Sequence, residues 1–500
     1  MKTECGIFAV HLGIQSATSI PSRIINKGMR NIQHRGQDSY GLITRDSDGR
    51  ISEVKEFGLL PDELVCSIPS TATGQEEELS PKIPELIAVL GHTRYSTVCA
   101  TIDKEAIQPI ELTSSESGTS TYISFNGNIP DFQTNMRRKL GIHDLDGLSD
   151  TFLFRAIWQR DFNDSGDTKE FARYCIIQIP GAYSCVVMSG NSKDNKFVGF
   201  RDKYGYKPLW WFRDLELGLQ GFVSETCQLE SAKSNLDKWQ ISEVEPGSIV
   251  ILESGKEPQI IPVISLPPGE LSRCSMEIIY FMQDNSLAKQ SISYDGTAQT
   301  VADIKNKLGR QLAKEELGQF LPADTQVIYV PESSYPLAVA YSSELGLPFN
   351  KDAIRKIYNI RSFIESNTEA RVGKIKRKFE FAFEQIKTRD VIIIDDSLVR
   401  GNTMKYIITQ LKASQPEVRI HIRIASPVLK DKCWFGIDIA ERDELIWWQT
   451  GASLSGLQEF LGVASIQYLS VGGLREVLGQ GHCTFCFGLP STATRRTLEW

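Results

Sequence analysis

Four apolar residues stand together at Val391-Ile392-Ile393-Ile394, and Asp395-Asp396-Ser397-Leu398-Val399-Arg400-Gly401-Asn402-Thr403 follows at once. An unbroken, mostly β-branched run predicts a strand buried on both faces. The acidic and small residues after it predict a loop at the strand's carboxyl end. Met404, Ile407, Ile408 and Leu411 then recur at helical spacing, so a helix should open at Gly401-Asn402-Thr403. Around this unit the pattern predicts a strand from Val327 to Val330, a helix from Ala338 to Leu345, and a strand with Val418, Ile420, Ile422 and Ile424 at period-two spacing. That alternation predicts an α/β domain with a parallel sheet and helices on both faces. The first 250 or so residues read instead as β-rich with short helices. Polar stretches at 71–78 and 113–118 predict surface loops there. The break between the halves is expected from Pro262 to Glu270, where Pro267-Pro268-Gly269 interrupts any regular element.

Composition bounds this picture without redirecting it. At 500 residues, 41% hydrophobic and 23% charged, the chain can bury the cores of roughly two to four domains. A net charge of −7 with interspersed signs offers no electrostatic case for nucleic acid, so small anionic substrates must be held by local sites. No apolar run reaches the length of a membrane span, and Met1-Lys2-Thr3-Glu4-Cys5 lacks the apolar core of a signal peptide, so a cytoplasmic location is expected. Ten cysteines in such a chain argue for thiol chemistry or metal ligation rather than a disulfide framework.

Three features carry candidate chemistry. Free N–H groups at a helix N-terminus beside two adjacent carboxylates suit a sugar phosphate with Mg²⁺; the plain alternative is a buried strand with a solvated turn. Cys5 leads directly into the apolar run Gly6-Ile7-Phe8-Ala9-Val10, as either a nucleophile or a small buried residue of a first strand. Cys483-Thr484-Phe485-Cys486 is a C-x-x-C pair, weak by itself, which Cys274 and Cys433 extend to a set of four. Cys66, Cys99, Cys175, Cys185 and Cys227 are taken as packing residues.

Around Cys5, the stretches Gln33-His34-Arg35-Gly36-Gln37-Asp38-Ser39, Gly91-His92-Thr93-Arg94-Tyr95-Ser96-Thr97 and Asn126-Gly127-Asn128 occur in an order and spacing that resemble the N-terminal-nucleophile glutamine amidotransferases. Arg201 to Leu209 and Ser224-Glu225-Thr226 extend the likeness through the first half. The resemblance implies an Ntn-hydrolase sandwich of αββα type, α+β in class, over 5–262, after removal of a propeptide, residues 1–4. It implies Cys5 as nucleophile with its α-amine as base, Arg94 and Thr97 on the glutamine carboxylate, Asp150 on its ammonium, and Asn126 with Gly127 as oxyanion hole. By pattern alone, Arg94 reads equally as a surface ion pair and Asn126-Gly127 as a tight hairpin turn.

Residues 391–403 resemble the phosphoribosyl-pyrophosphate (PRPP) signature of type I phosphoribosyltransferases, which implies that fold over 270–500. With Pro331-Glu332-Ser333-Ser334, the run Arg419 to Pro427 and Phe435-Gly436-Ile437-Asp438, the whole chain resembles the amidophosphoribosyltransferase family. That likeness implies attack of ammonia on PRPP. Asp395 and Asp396 would take ribose and metal; Ser397, Arg400, Gly401, Asn402 and Thr403 the 5-phosphate; Ser333 a further Mg²⁺ contact; and Tyr358 and Arg361 places on a mobile loop. It also implies a homo-oligomer, a dimer or tetramer, and a [4Fe–4S] cluster on Cys274, Cys433, Cys483 and Cys486. A zinc ion on the same thiolates is the alternative. The chain departs from the family at Ile357 and Ile360 of the mobile loop and at Gln283-Asp284-Asn285-Ser286. Those departures motivate a second reading, a paralogue with impaired PRPP transfer acting as a regulatory or binding subunit.

Overall fold

The computed structural model describes all residues except 1–4, 14–17, 65–84, 95–103, 114–119, 131–140, 142–149, 192–194, 230–237, 289–298, 317–323, 358–378, 438, 440 and 499–500. The chain divides into two compact units. One comprises Lys2–Cys274 with Trp434–Asp438 and Ser491–Trp500; the other comprises Ser275–Cys433 and Ile439–Pro490. The polar loop expected at 71–78 lies outside the described residues, as does all of that expected at 113–118 except Thr113, which ends a strand.

The first unit is a sandwich of two antiparallel sheets. Its strands are β1 (Gly6–Leu12), β2 (Ser39–Asp46), β3 (Ile51–Phe57), β4 (Leu86–Arg94), β5 (Ile110–Thr113), β6 (Thr121–Asn128) and β7 (Ala182–Ser189), followed by β8 (Lys196–Arg201), β9 (Trp210–Asp214), β10 (Leu219–Val223), β11 (Trp239–Glu243), β12 (Ser248–Glu253) and β13 (Gln259–Pro262). The seven-stranded sheet runs β11-β9-β10-β1-β4-β2-β3 and the six-stranded sheet β13-β12-β8-β7-β6-β5. Ile7, Ala9, Ile43 and Leu90 of the first meet Val186, Met188, Phe197 and Leu252 of the second in a fully buried core. Alternation along β1 turns Phe8 the other way, against helix α1 (Ser22–Arg30), which approaches so closely that a Cβ on Gly28 would lie 2.2 Å from the Phe8 ring. Helices α2 (Thr151–Ile157) and α3 (Thr168–Gln178) cover the outer face of the six-stranded sheet, where Phe154, Ile157 and Phe171 pack on Ile123, Val187 and Phe200. The layers are therefore αββα.

The second unit is built on four parallel strands, β14 (Thr325–Tyr329), β15 (Asp390–Asp395), β16 (Arg419–Ile424) and β17 (Ser465–Tyr468), in that spatial order. Val391 to Ile394 are fully buried, which explains the unbroken apolar run: β15 is an inner strand with both faces covered. Helices α4 (Val301–Glu316) and α5 (Tyr335–Leu345) cross so closely that a Cβ on Gly309 would lie 2.2 Å from the Leu337 carbonyl oxygen. Helix α6 (Asn402–Ser414) packs Met404, Ile407, Ile408 and Leu411 on the face carrying Val391, Ile393, Ile420 and Ile422. On the opposite face, the Arg423 guanidinium of β16 is buried against Glu316 of α4, whose carboxylate also accepts the Tyr341 hydroxyl at 2.6 Å. Three expected elements shift slightly; α5 opens at Tyr335, ahead of Ala338. β14 begins at Thr325, and Val330 follows the strand while its N–H still donates to Ile394 at 3.0 Å. Val418 turns back to Gln415 before β16 opens. Among the described residues no helix is long and apolar enough to cross a membrane.

Candidate active sites

In the first unit, Cys5 stands one residue before β1, with Gly6 paired to Thr93 of β4. Its carbonyl accepts Arg35 Nε at 3.0 Å, and the same guanidinium is ion-paired through its Nη1 to Glu225 Oε1 at 2.7 Å. Arg35 and Glu225 are fully buried, and His34 Nε2 reaches the same carboxylate oxygen at 2.9 Å. His34 and Arg35 hold the Glu225 carboxyl well below the usual range against the opposing effect of burial. Ser224, next to Glu225, closes the other side: its Oγ accepts Ile7 N–H at 2.9 Å, and its own N–H donates to Ile7 at 3.1 Å. The stretches around Arg35 and Glu225 thus form one device that fixes the start of β1. Gly36 permits it, because a Cβ there would lie 2.5 Å from the Thr93 carbonyl carbon.

Asn126 and Gly127 are not in a hairpin turn. They lie within β6, opposite Ser184 and Tyr183 of β7. Gly127 is required there, since a Cβ would fall 2.0 Å from the Ala182 carbonyl oxygen. Asn126 is buried, and its Nδ2 has no hydrogen-bond partner among the described residues. A buried donor left unmatched is costly unless something else uses it, which marks it as a candidate for substrate. Two side chains tie this end of β6 to its surroundings. His92, opposite Ile7, reaches the Phe125 carbonyl through Nε2 at 3.1 Å; burial lowers its pKa to about 3, so the ring is neutral with its proton on Nε2. Gln108 accepts Phe125 N–H at 2.6 Å.

Asp150, preceding α2, accepts the Ile129 N–H through Oδ2 at 3.2 Å, which places it beside the Asn126-Gly127 end. Burial pushes its carboxyl up to about 6, with the Ile129 N–H and Arg94 opposing. Arg94 ends β4, largely buried, and one Nη donates to the Ala106 carbonyl at 2.8 Å. Thr97, Cys66, Cys99 and residues 1–4 lie outside the described residues; Cys175, Cys185 and Cys227 are buried.

In the second unit, Asp395 closes β15 and Asp396 follows, both buried. Ser334 Oγ donates to Asp395 Oδ1 at 3.1 Å, Ser333 Oγ to Asp396 Oδ2, and Ser397 Oγ to Asp396 Oδ1 at 2.7 Å. The loops after β14 and β15 therefore meet through hydroxyl–carboxylate bonds at the carboxyl edge of the sheet, where such folds bind ligands. Burial raises the Asp396 carboxyl despite the two hydroxyls, and burial with these carboxylates raises Tyr280. Gly401, at φ +75, precedes α6, whose first turn has no side-chain cap, so its N–H groups face the loop. Arg400 is paired to Glu444 at 2.7 Å. Tyr358, Ile360 and Arg361 lie outside the described residues.

Within this unit the segments bearing three of the four expected cluster cysteines, and the residue after the fourth, also meet. Ser275, following Cys274, donates to the Cys483 carbonyl at 2.7 Å, and the N–H groups of Lys430 and Asp431, just before Cys433, donate to the Cys486 carbonyl at 2.8 and 3.1 Å. Among the described residues, no group of three or more His, Cys, Asp or Glu side chains is placed to hold a metal ion.

Comparison with known proteins finds a domain pattern in each half of the chain. The glutamine amidotransferase domain pattern matches residues 92–231, and the phosphoribosyl transferase domain pattern matches residues 300–453. The amidophosphoribosyltransferase of Homo sapiens is 28% identical over 508 residues, covering 96% of this chain and 90% of that protein. That of Bacillus subtilis is 28% identical over 502 residues, covering 97% and 94%. The fold also matches a solved glutamine PRPP amidotransferase of Bacillus subtilis, complexed with ADP and GMP, with a TM-score of 0.75 at 24% identity over 97% of each chain. The protein thus carries a glutamine amidotransferase domain followed by a phosphoribosyl transferase domain. Over nearly its whole length it is similar to the amidophosphoribosyltransferases.

The sequence pointed to Cys5, Arg94, Asn126, Gly127, Asp150 and the Asp395–Thr403 loop, but gave no role to Arg35, His34, Glu225, His92 or Gln108. The first four stand inside the stretches that carry the amidotransferase likeness, while Gln108 had no signal of its own.

Proposed function

We propose that this chain hydrolyses glutamine at Cys5 and transfers the ammonia to PRPP, giving 5-phosphoribosylamine, glutamate and pyrophosphate, the first step of de novo purine synthesis. The observation that carries the proposal is that one chain holds a clamped Cys5 and a buried, unmatched Asn126 amide in one sandwich, and a serine-bound Asp395–Asp396 pair at the edge of a parallel sheet.

Removal of Met1 to Glu4 would free the Cys5 α-amine, which titrates near neutral pH and takes the thiol proton. The thiolate attacks the glutamine side-chain carbonyl. Asn126 Nδ2 and the Gly127 N–H stabilise the oxyanion, Arg94 with Thr97 holds the α-carboxylate, and Asp150 the ammonium. Ammonia leaves, and water releases glutamate from the thioester. At the second site, Ser397 to Thr403 hold the 5-phosphate while Asp395 and Asp396 orient the ribose, with Tyr358 and Arg361 contributing from their loop. Ammonia forms the bond to the anomeric carbon as the bond to pyrophosphate breaks.

Ser333, Asp395 and Asp396 suit Mg²⁺, because two carboxylates and a hydroxyl leave positions for substrate oxygens; the ion would neutralise the leaving pyrophosphate. Cys274, Cys433, Cys483 and Cys486 are proposed as ligands of a structural [4Fe–4S] cluster, supported by the hydrogen bonds that join their neighbours. The same reading expects a cytoplasmic location and a homo-oligomer, a dimer or tetramer; sedimentation would test the oligomer. The activity is tested by supplying glutamine, PRPP and Mg²⁺. Glutamate and pyrophosphate should form in equal amounts and neither with Cys5→Ala; glutamate no greater than in that control would leave the regulatory-subunit reading.

A further inference from the structure

The last third of the chain sends a short segment, Trp434 to Ile437, into the glutaminase unit, where it meets the far side of the Asn126-Gly127 strand end. Asn128 Nδ2 donates to the Trp434 carbonyl at 2.8 Å, linking residues 306 apart. A Cβ on Gly436 would lie 3.2 Å from the Gly127 carbonyl carbon, 3.2 Å from Lys207 Cε and 3.3 Å from Asn128 Cβ, and the backbone there has φ +94. The Phe435 ring stacks on Tyr206 at 4.4 Å with only 9° between planes, and both are buried. Tyr206 is held in turn. Its N–H donates to Asp202 Oδ2 at 3.2 Å, and the same oxygen accepts the Tyr183 N–H at 3.0 Å. Tyr183 is the residue paired with Gly127 across the sheet. The contacts therefore close a ring, from Gly127 through Tyr183, Asp202, Tyr206, Phe435 and Gly436 back to Gly127.

We propose that Trp434 to Ile437 form the back wall of the oxyanion hole, with Asn128, Phe435 and Gly436 as positioning residues that fix Asn126 and Gly127 for glutamine hydrolysis. The inference rests on the reading of Asn126 and Gly127 as oxyanion donors. Such donors work by being held in place before charge develops, so a wall that prevents their retreat acts on the transition state rather than on glutamine binding. β6 receives its ladder from β7 on one edge, with Asn126, Gly127 and Asn128 opposite Ser184, Tyr183 and Ala182. Gly436 packs against Gly127 and Asn128 in addition to that ladder.

The test uses the full-length processed protein and the variants Asn128→Ala, Phe435→Ala, Phe435→Tyr and Gly436→Ala, with Asn126→Ala as reference. Glutaminase kcat and KM are measured, together with inhibition by glutamate γ-semialdehyde, whose adduct with Cys5 places an oxygen in the hole. The inference expects Gly436→Ala and Phe435→Ala to lower kcat by on the order of 100-fold with KM unchanged and to weaken the semialdehyde by a similar factor. Phe435→Tyr, which keeps the stacked ring, should restore both. Asn128→Ala, which removes one hydrogen bond and leaves the core intact, keeps the test decisive if Gly436→Ala does not fold. Parental kcat and semialdehyde affinity in Asn128→Ala and Phe435→Ala would overturn the inference, as would losses confined to KM. If Asn126→Ala is itself parental, the oxyanion reading has failed; if it is impaired while the wall variants are not, only the wall has failed.

Discussion

Arg35 Nε lies 3.0 Å from the Cys5 carbonyl oxygen and donates to it from a fully buried guanidinium already committed to Glu225. Holding the carbonyl from one side leaves the α-amine and thiol to be aimed by the rest of the backbone. Arg35→Lys keeps the charge but loses the planar fork that reaches both groups. Its kcat/KM for glutamine should fall by on the order of 100-fold through misplacement of Cys5, while transfer from added ammonium is retained. Glu225→Gln, which strands the buried cation, should destabilise the fold by about 3–5 kcal/mol, read as a drop in denaturation midpoint. Parental glutaminase activity in Arg35→Lys would remove the clamp from the account.

With Asp150 holding the glutamine ammonium as proposed, its carboxyl, raised to about 6, should shape the acid limb of glutamine hydrolysis. Only the carboxylate would attract the glutamine ammonium, so Asp150 should add a roughly tenfold fall in kcat/KM per pH unit below 6 to the dependence that the Cys5 α-amine imposes near neutral pH. The sign for stability is opposite. A carboxyl whose folded pKa lies above its unfolded value favours folding at low pH, and that contribution is lost as pH rises through about 6. Asp150→Asn should therefore bind glutamine poorly yet melt higher than the parent at pH 8, with no advantage at pH 4. A parent profile flat from pH 5 to 8 would contradict the assignment.

Much of this was legible beforehand, and the rest was not, for physical reasons. The run Val391 to Ile394 announces an inner parallel strand because burial on both faces leaves no polar alternation, and Asp395-Asp396 mark its carboxyl end. Cys5 could be placed before a strand for the same local reason. Arg35 and Glu225 could not be joined, since 190 positions separate them and only the folded sandwich brings their charges together. Asn126-Gly127 has the composition of a tight turn but serves as a strand end, because β7 approaches too closely for any side chain at 127. The seat of Phe435 and Gly436 on this strand is likewise a matter of shape, with no periodicity to announce it.

At the phosphate loop, Gly401→Ala tests whether the helix opening binds PRPP. The added methyl would stand 2.3 Å from Ile446 Cδ1 on a left-handed backbone, so the loop must move or carry about 1–3 kcal/mol of strain. PRPP should then protect the variant against thermal unfolding less than it protects the parent. Ile446→Ala in the same chain should relieve the clash and recover part of that protection. Equal protection of parent and Gly401→Ala would place the 5-phosphate elsewhere.

For the four cysteines, anaerobically purified protein should contain iron and acid-labile sulfide in equal amounts. Cys486→Ser should lose both and melt lower, because Cys486 lies where the Lys430 and Asp431 N–H groups join the C-terminal segment. One zinc and no sulfide would replace the cluster with a zinc site.

The coupling of the two half-reactions is tested most directly by pyrophosphate release from PRPP and Mg²⁺ with either glutamine or ammonium as nitrogen donor. The parent should use both. Cys5→Ala should use ammonium only, and Asp396→Asn should release pyrophosphate with neither while still hydrolysing glutamine. Glutamine-dependent pyrophosphate release by Cys5→Ala, or none by the parent with either donor, would contradict the assignment of this chain as a glutamine-dependent phosphoribosyltransferase.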